Sequence, residues 1–241
     1  MKIAIIADIH GNLEAFEAVL DHIHTENVSH IFSLGDNVGY GPDPEAVMQR
    51  IRKEKILSVL GNHEMAMKND TFISWFNPMA QKAVIYTRAH LSEESLCEIR
   101  EYPKYRVFEN LRFVHGAPPS SPLLYLFQLA DDKLARCLDR LNESICFAGH
   151  THDLHIIEYD GTNIDRLPLP LGDTELNPKY KYVINVGSVG QPRDGDKRAK
   201  YVIFDTVEQS VSVKAVAYDP RYTAEKIIRA GLPEQYASRL L

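Results

Sequence analysis

The stretch KIAIIADIHGNLEAFEAVLDHIH, residues 2–24, carries two periodicities in immediate succession. Its first part, KIAIIAD, is a short apolar run that ends on an acid, which predicts a strand buried on both faces. From Leu13 the spacing changes. Leu13, Phe16, Val19, Leu20 and Ile23 fall on one face of a helix, and Asn12 is placed to cap it. The alternation repeats downstream. HIFSLGD (30–36) reads as a second strand, PEAVMQRIRKE (44–54) as a second helix with Pro44 near its first turn, and ILSVLGN (56–62) as a third strand. Such a β-α-β-α-β order implies a parallel sheet with helices packed against it.

The remainder has a different texture. Residues 64–104 read as mainly helical, with Phe72, Trp75 and Phe76 at a spacing that predicts core positions, a substrate platform being the alternative. RVFENLRFVHG (106–116) resembles a strand hairpin, and APPSSPLLYLFQLA (117–130) a Pro-rich loop running into an apolar segment, either core or interface. DDKLARCLDRLN (131–142) predicts a helix and ICFAGH (145–150) a strand. From 154 to 218 the pattern is mostly strand, so two sheets are expected. The tail from Thr223 reads as two helical pieces broken at Gly231 and Pro233. No repeat, low-complexity tract or linker divides the chain. The expectation is a single domain over 1–241 with a helical insert at about 64–105.

A chain of 241 residues can bury a large core. Its 44% hydrophobic and 25% charged residues are those of an ordinary soluble globular protein. The net charge of −6 argues against nucleic acid or an anionic membrane as partner. The five apolar residues after Lys2 are too few for a signal-peptide core, and no stretch has the length to span a bilayer. Cys97, Cys137 and Cys146 are odd in number and form no C-x-x-C, which fits reduced thiols in a cytoplasmic protein.

Polar residues follow the predicted strands at regular places: Asp8 and His10, then Asp36, then Asn62 and His63, then His115, then His150 and His152. The carboxyl ends of strands in α/β sheets converge on one edge, where ligands bind. Carboxylates and imidazoles without thiolates suit manganese, iron, zinc, nickel or cobalt. Eight such residues exceed the needs of one tetrahedral ion, whereas two ions sharing a bridging carboxylate would use them.

Taken together, DIHGN (8–12), GDNVGYGP (35–42), GNHE (61–64), VHG (114–116) and GHTH (149–152) resemble, in order, the motif series of the calcineurin-like metallophosphoesterases, and most closely the small bacterial and archaeal phosphoesterases among them. NVGSVGQPRDGD (185–196) strengthens the resemblance, which covers residues 2 to about 205. The resemblance implies a four-layer αββα sandwich, two mixed β-sheets flanked by helices. It implies two divalent transition-metal ions, manganese foremost, with iron, nickel, zinc or cobalt as alternatives. Asp8, His10 and His152 would hold the first ion, Asn62, His115 and His150 the second, and Asp36 would bridge them. A metal-bridging hydroxide would attack phosphorus, and His63, oriented by Glu64, would assist the leaving group.

The chain departs from the related protein Ser/Thr phosphatases in one respect. Their arginines after the second motif and next to GNHE are replaced here by Gly39-Tyr40-Gly41-Pro42 and by Met65. Arg193 is the candidate substitute, since a planar guanidinium suits phosphate oxygens; Tyr40 is a candidate substrate contact. The implied function is hydrolysis of a phosphomonoester or small phosphodiester, with specificity set by the 64–105 insert and the 117–130 loop. The alternatives are a phosphoprotein phosphatase or a dinucleoside polyphosphate hydrolase and, further off, a non-catalytic protein-binding scaffold. The expected partner is a small phosphorylated substrate; a homo-oligomer is left open.

Overall fold

Strand and helix alternate through the first half as the spacing predicts. In the computed structural model, which describes residues 1–241, β1 (Lys2–Ile6) is followed by α1 (Leu13–Thr25), β2 (His30–Ser33), α2 (Pro44–Lys53) and β3 (Leu57–Ser58). β1 pairs in parallel with β2, and β2 with β3. The Asn12 side chain caps α1 by accepting from the Ala15 amide at 3.1 Å. The helix buries Ala15, Phe16, Val19, Leu20 and Ile23. β3 is shorter than the run ILSVLGN because the chain leaves the sheet early: the Leu60 amide donates to Pro103 O, not to β2.

Helices follow: α3 (Asn62–Lys68), a 3-10 turn over Asp70–Trp75, α4 (Pro78–His90) and α5 (Glu93–Glu101). The three aromatics expected in the core are not simply core residues. Trp75 is 60% exposed, and Phe72 and Phe76 are half-buried. Asn69 and Asn77 interrupt the helix by accepting from backbone amides two or three residues on. The tighter 3-10 turn between them then spoils the 3.6-residue register on which the core expectation rests.

The second half supplies β4 (Tyr105–Phe108), β5 (Leu111–Val114), α6 (Asp131–Arg140), β6 (Ile145–Ala148), β7 (Leu154–Tyr159), β8 (Ile164–Pro168), β9 (Gly172–Glu175), β10 (Lys181–Val186), β11 (Ala199–Asp205), β12 (Ser210–Val216), α7 (Pro220–Arg229) and α8 (Glu234–Leu240). β9, of sequence GDTE, has no apolar alternation and was not predicted; it is an edge strand defined by its pairing with β12. α7 starts at Pro220, ahead of the expected Thr223, because Asp219 caps it through the Arg221 amide.

Two mixed six-stranded sheets result, in the orders β3-β2-β1-β11-β12-β9 and β4-β5-β6-β10-β7-β8. They pack face to face through Ile3, Ile5, Phe32, Val202 and Phe204 on one side and Phe113, Phe147, Ile156 and Ile184 on the other. The Phe32 and Phe113 rings stack across this interface at 4.0 Å. Alternate residues of the same strands point outward: Ala4, Ile6 and Ile203 meet α1 and α2, while Cys146, Ala148 and Val183 meet Leu134 and Leu138 of α6. Burial on both faces is why the strands read as continuous apolar runs. The architecture is the expected αββα sandwich. No helix is long and apolar enough to cross a membrane.

Truncating a ring at the inter-sheet contact should cost far more than truncating a surface residue. Phe113→Ala is expected to lower unfolding free energy by about 3–5 kcal/mol in denaturant titrations. Val207→Ala, at a position 74% exposed, should change it by no more than about 0.5 kcal/mol.

Candidate metal centre

All eight candidate polar residues converge where β1, β2, β5 and β6 end, and all but Asn62 are buried. Backbone pairing continues past the strand ends and fixes the loops to one another. The Asp8, His10 and Gly11 amides donate to the carbonyls of Gly35, Asp36 and Asn37, and the Gly149 amide to His115 O at 2.8 Å. Asp8, His10, Asp36, Tyr40, His150 and His152 all have positive φ, between 50° and 71°. Six non-glycine residues in this sparsely populated region at one place mark a site whose backbone is held by its surroundings.

Each carboxylate has one oxygen tied down and one turned to the centre. Asp8 Oδ2 accepts from the His150 amide at 3.0 Å, while its buried Oδ1 has no hydrogen-bond donor and faces His152 Nε2 at 3.4 Å and His10 Nε2 at 3.8 Å. Asp36 Oδ1 accepts from the His63 amide at 2.9 Å. Its Oδ2 lies 3.3 Å from His115 Nε2 and 3.8 Å from His10 Nε2.

The imidazoles are oriented in the same manner. Nδ1 of His10, His115 and His152 donates to the carbonyls of Val38, Leu34 and Gln191, at 3.3, 2.8 and 2.6 Å. A carbonyl only accepts, so Nδ1 carries the proton in each ring. Burial holds His10 and His152 well below the usual imidazole range, so both are neutral. Their Nε2 atoms are therefore bare lone pairs facing each other at 3.1 Å. Two acceptors at that distance repel unless a cation lies between them and the Asp8 oxygen. A second nest forms around His115 Nε2, which is 3.0 Å from both Asn62 Oδ1 and His150 Nδ1. Two groups, Asp8–His10–His152 and Asp36–His115–His150, thus present donor atoms close enough to hold a metal ion each. The donor set, nitrogen and oxygen without thiolate, fits divalent transition ions.

His63, Asp36 and His10 also converge. Burial pushes His63 down to about 4. Its Nδ1 is packed against Gly39, where an added Cβ would come within 2.1 Å; with φ +92°, only glycine fits. Glu64 does not orient His63. Its carboxylate accepts from the backbone amides of Gly61, Asp36 and Asn37 at 3.1, 2.8 and 2.7 Å, bracing the Asp36 loop against α3. Successive helix residues point about 100° apart, so Glu64 and His63 address different partners. Tyr40 lies over the centre, its ring 4.5 Å from those of both His10 and His63. Arg193 stands exposed at the rim, its amide donating to His152 O at 3.3 Å.

Some contributors were not singled out from sequence. Tyr125 stacks on His150 at 3.9 Å; it sits in the 117–130 loop, where the apolar run PLLYLFQLA gave no signal specific to it. Asn185 donates to Gly149 O and Thr151 Oγ1, steadying the loop that carries His150 and His152. The segment GSVG, residues 187–190, is a brace for the Asp8 loop. Ser188 Oγ and the Gly190 amide both donate to Asp8 O at 2.9 Å, and a Cβ on Gly190 would fall 1.8 Å from Ile9 O.

A family model described as the calcineurin-like phosphoesterase superfamily domain matches residues 1–209. The chain belongs to the calcineurin-like phosphoesterase superfamily. Within that superfamily it is 36% identical to an uncharacterized protein of Methanocaldococcus jannaschii, over 99% of this chain and 96% of the relative. It is similar to the crystal structure of a metallophosphoesterase from Sphaerobacter thermophilus, with 35% identity, a TM-score of 0.85, and coverage of 100% of this chain and 98% of that one. A hypothetical protein from Pyrococcus horikoshii shares the fold at 20% identity and a TM-score of 0.77, over 99% and 97% of the two chains. As a calcineurin-like phosphoesterase the chain has a dinuclear metal-binding fold, and its two clusters support metal-dependent hydrolase activity.

Protons and metal compete here with a definite sign. Burial alone would lower His115, but the Asp36 carboxylate outweighs it and lifts the imidazole to about 9; burial lifts Asp8 to about 7. At pH 7 metal binding must therefore expel protons, so affinity should rise with pH. We expect about one decade or more per pH unit between pH 6 and 8 in calorimetric titrations with Mn²⁺ or Zn²⁺, with proton release seen as buffer-dependent heat. Glu64→Gln should keep the fold and weaken metal binding by about 10–100-fold in the same titration, since it loosens the Asp36 loop.

Proposed function

We propose that this protein is a dinuclear metal-dependent phosphoesterase hydrolysing a phosphomonoester or small phosphodiester, with manganese the foremost of the candidate ions. The observation that carries the reading is the position of Asp36 Oδ2 between His10 of one cluster and His115 of the other. One carboxylate oxygen facing both donor sets is what a bridging ligand requires. In this reading Asp8, His10 and His152 hold one ion, and Asn62, His115 and His150 the other. When bound, such a pair supplies Lewis acidity and a water acidic enough to serve as nucleophile near neutral pH.

The chain's own residues would do the rest. His63, neutral because it is buried, offers a ring N–H to the leaving oxygen; Arg193 neutralises the phosphate from the rim. An aromatic cleft of about 220 Å³, lined by Tyr40, Phe72, Trp75, Phe76 and Tyr125, opens onto Asn62 and His150 and would take the leaving group. Most of that wall comes from the 64–105 segment, which we propose sets specificity within one domain over 1–241. A cleft of this size favours a small apolar or aromatic alcohol over a folded phosphoprotein.

The test is hydrolysis of nitrophenyl phosphate and bis-nitrophenyl phosphate by metal-stripped protein with Mn²⁺, Ni²⁺, Zn²⁺ or Mg²⁺ added back. Metal-dependent turnover abolished by Asp36→Asn is the expected result; turnover that survives this change would overturn the bridging role. His63→Ala should retain both ions by elemental analysis while kcat falls about 10²–10⁴-fold.

A further inference from the structure

A second cavity, of about 490 Å³, adjoins the aromatic cleft and shares Tyr40, Asn77 and Tyr125 with it. Its other wall carries Arg193, Lys197 and Arg239, and no Asp or Glu lines it. None of these three cations is in an ion pair. The acids of the same loop are engaged elsewhere: Asp194 pairs with Lys200 at 2.9 Å and Asp196 with Arg198 at 2.5 Å. In a chain of net charge −6, three formal positive charges around one acid-free cavity create a local field that favours an anion.

The wall is built, not a chance meeting of surface side chains. Buried Gln191 presents Oε1 to both Arg193 Nη2 at 3.2 Å and Arg239 Nη1 at 3.4 Å. Lys197 Nζ donates to Arg239 O at 2.6 Å, tying the 191–198 loop to α8. The Arg239 guanidinium lies over the Tyr236 ring at 5.6 Å, and Tyr236 packs on Tyr40 at 4.7 Å. Gln191 is also the residue whose carbonyl orients His152, so one residue layer separates the cavity from the metal cluster. Tyr236 and Arg239 lie beyond residue 209, where the superfamily match ends.

We propose that this cavity is a subsite for a second, non-reacting phosphate group, so that the substrate is a doubly phosphorylated small molecule. The proposal rests on the phosphoesterase reading above. One phosphate would sit at the metal centre beside Arg193, and the other between Lys197 and Arg239, with the aromatic cleft taking the apolar part of the molecule. Arginine and lysine without carboxylate partners bind a phosphate dianion through charge-assisted hydrogen bonds, and each such contact is worth roughly tenfold or more in affinity.

The experiment uses the metal-loaded full chain and nitrophenyl phosphate hydrolysis as the readout. Inhibitors are α,ω-alkylene bisphosphonates of two to six carbons, each compared with the alkyl monophosphonate of the same length. At least one bisphosphonate should inhibit about tenfold or more tightly than its monophosphonate partner. That advantage should shrink to under about twofold in the Lys197→Gln/Arg239→Gln double variant, which keeps side-chain polarity and leaves the core untouched. Equal inhibition by both classes at every length, or an advantage that persists in the double variant, overturns the subsite. If wild-type protein hydrolyses no ester with any metal, the phosphoesterase reading is what fails. Calorimetric titration of the same two inhibitor classes into wild type and double variant then decides the anion subsite by the same ratios.

Discussion

Two neutral imidazoles cannot hold bare ring nitrogens 3.1 Å apart in a buried site without positive charge to reconcile them. His10 and His152 are in that position, with both Nδ1 protons committed to backbone carbonyls and the free oxygen of Asp8 beside them. Much of the surrounding structure serves to keep that arrangement in place. The Asp8 loop is held by the Gly35 carbonyl, by Ser188 and Gly190, and by the His150 amide. The cost is met by cooperation among many loops, each in a backbone conformation that would be unfavourable alone.

The Asp36 loop shows the same logic from the other side. Glu64 spends its carboxylate on the amides around Asp36, and α3 contributes the His63 amide to Oδ1. Only Oδ2 remains, and it faces a histidine of each cluster. Burial raises Glu64 to about 7, so the brace is itself near its protonation threshold and depends on the amides that surround it. Glycine at 39 leaves room for His63, as glycine at 190 leaves room for the Ile9 carbonyl. The donor geometry thus follows from close backbone approaches that any side chain would block.

Around this centre the surface divides into two regions of opposite chemistry. An aromatic cleft faces Asn62 and His150, and a basic cavity lies beside the His152 loop. Tyr40 and Tyr125 stand between them, each also packed on a centre histidine. A molecule with an apolar body and anionic ends would satisfy both regions at once. This division joins segments distant in the chain: the helices after β3, the loop after β5, the loop after β10 and the last helix.

The sequence by itself determined the strand–helix alternation, the expectation of two sheets and the placing of Asp8, His10, Asp36, Asn62, His63, His115, His150 and His152 after strands, while its resemblance to the calcineurin-like metallophosphoesterases implied the αββα sandwich. The reason is local: apolar runs buried on both faces end abruptly at polar residues, whereas the meeting of Asp8, His10 and Asp36 with His115, His150 and His152 needs the packing of two sheets, since β1 and β2 lie in one and β5 and β6 in the other. Short-range signals failed where a partner far along the chain decides. β9 exists only through β12, β3 stops because Pro103 takes the Leu60 amide, and Glu64 serves a loop 28 residues before it rather than its neighbour His63. Trp75 left the expected core, and Phe72 and Phe76 pack only at its edge, where a 3-10 turn changed their register. Tyr125, Lys197 and Arg239 looked like ordinary loop and tail residues. Only the tertiary structure sets them beside the centre, because side chains separated by tens of residues meet through packing and not through spacing.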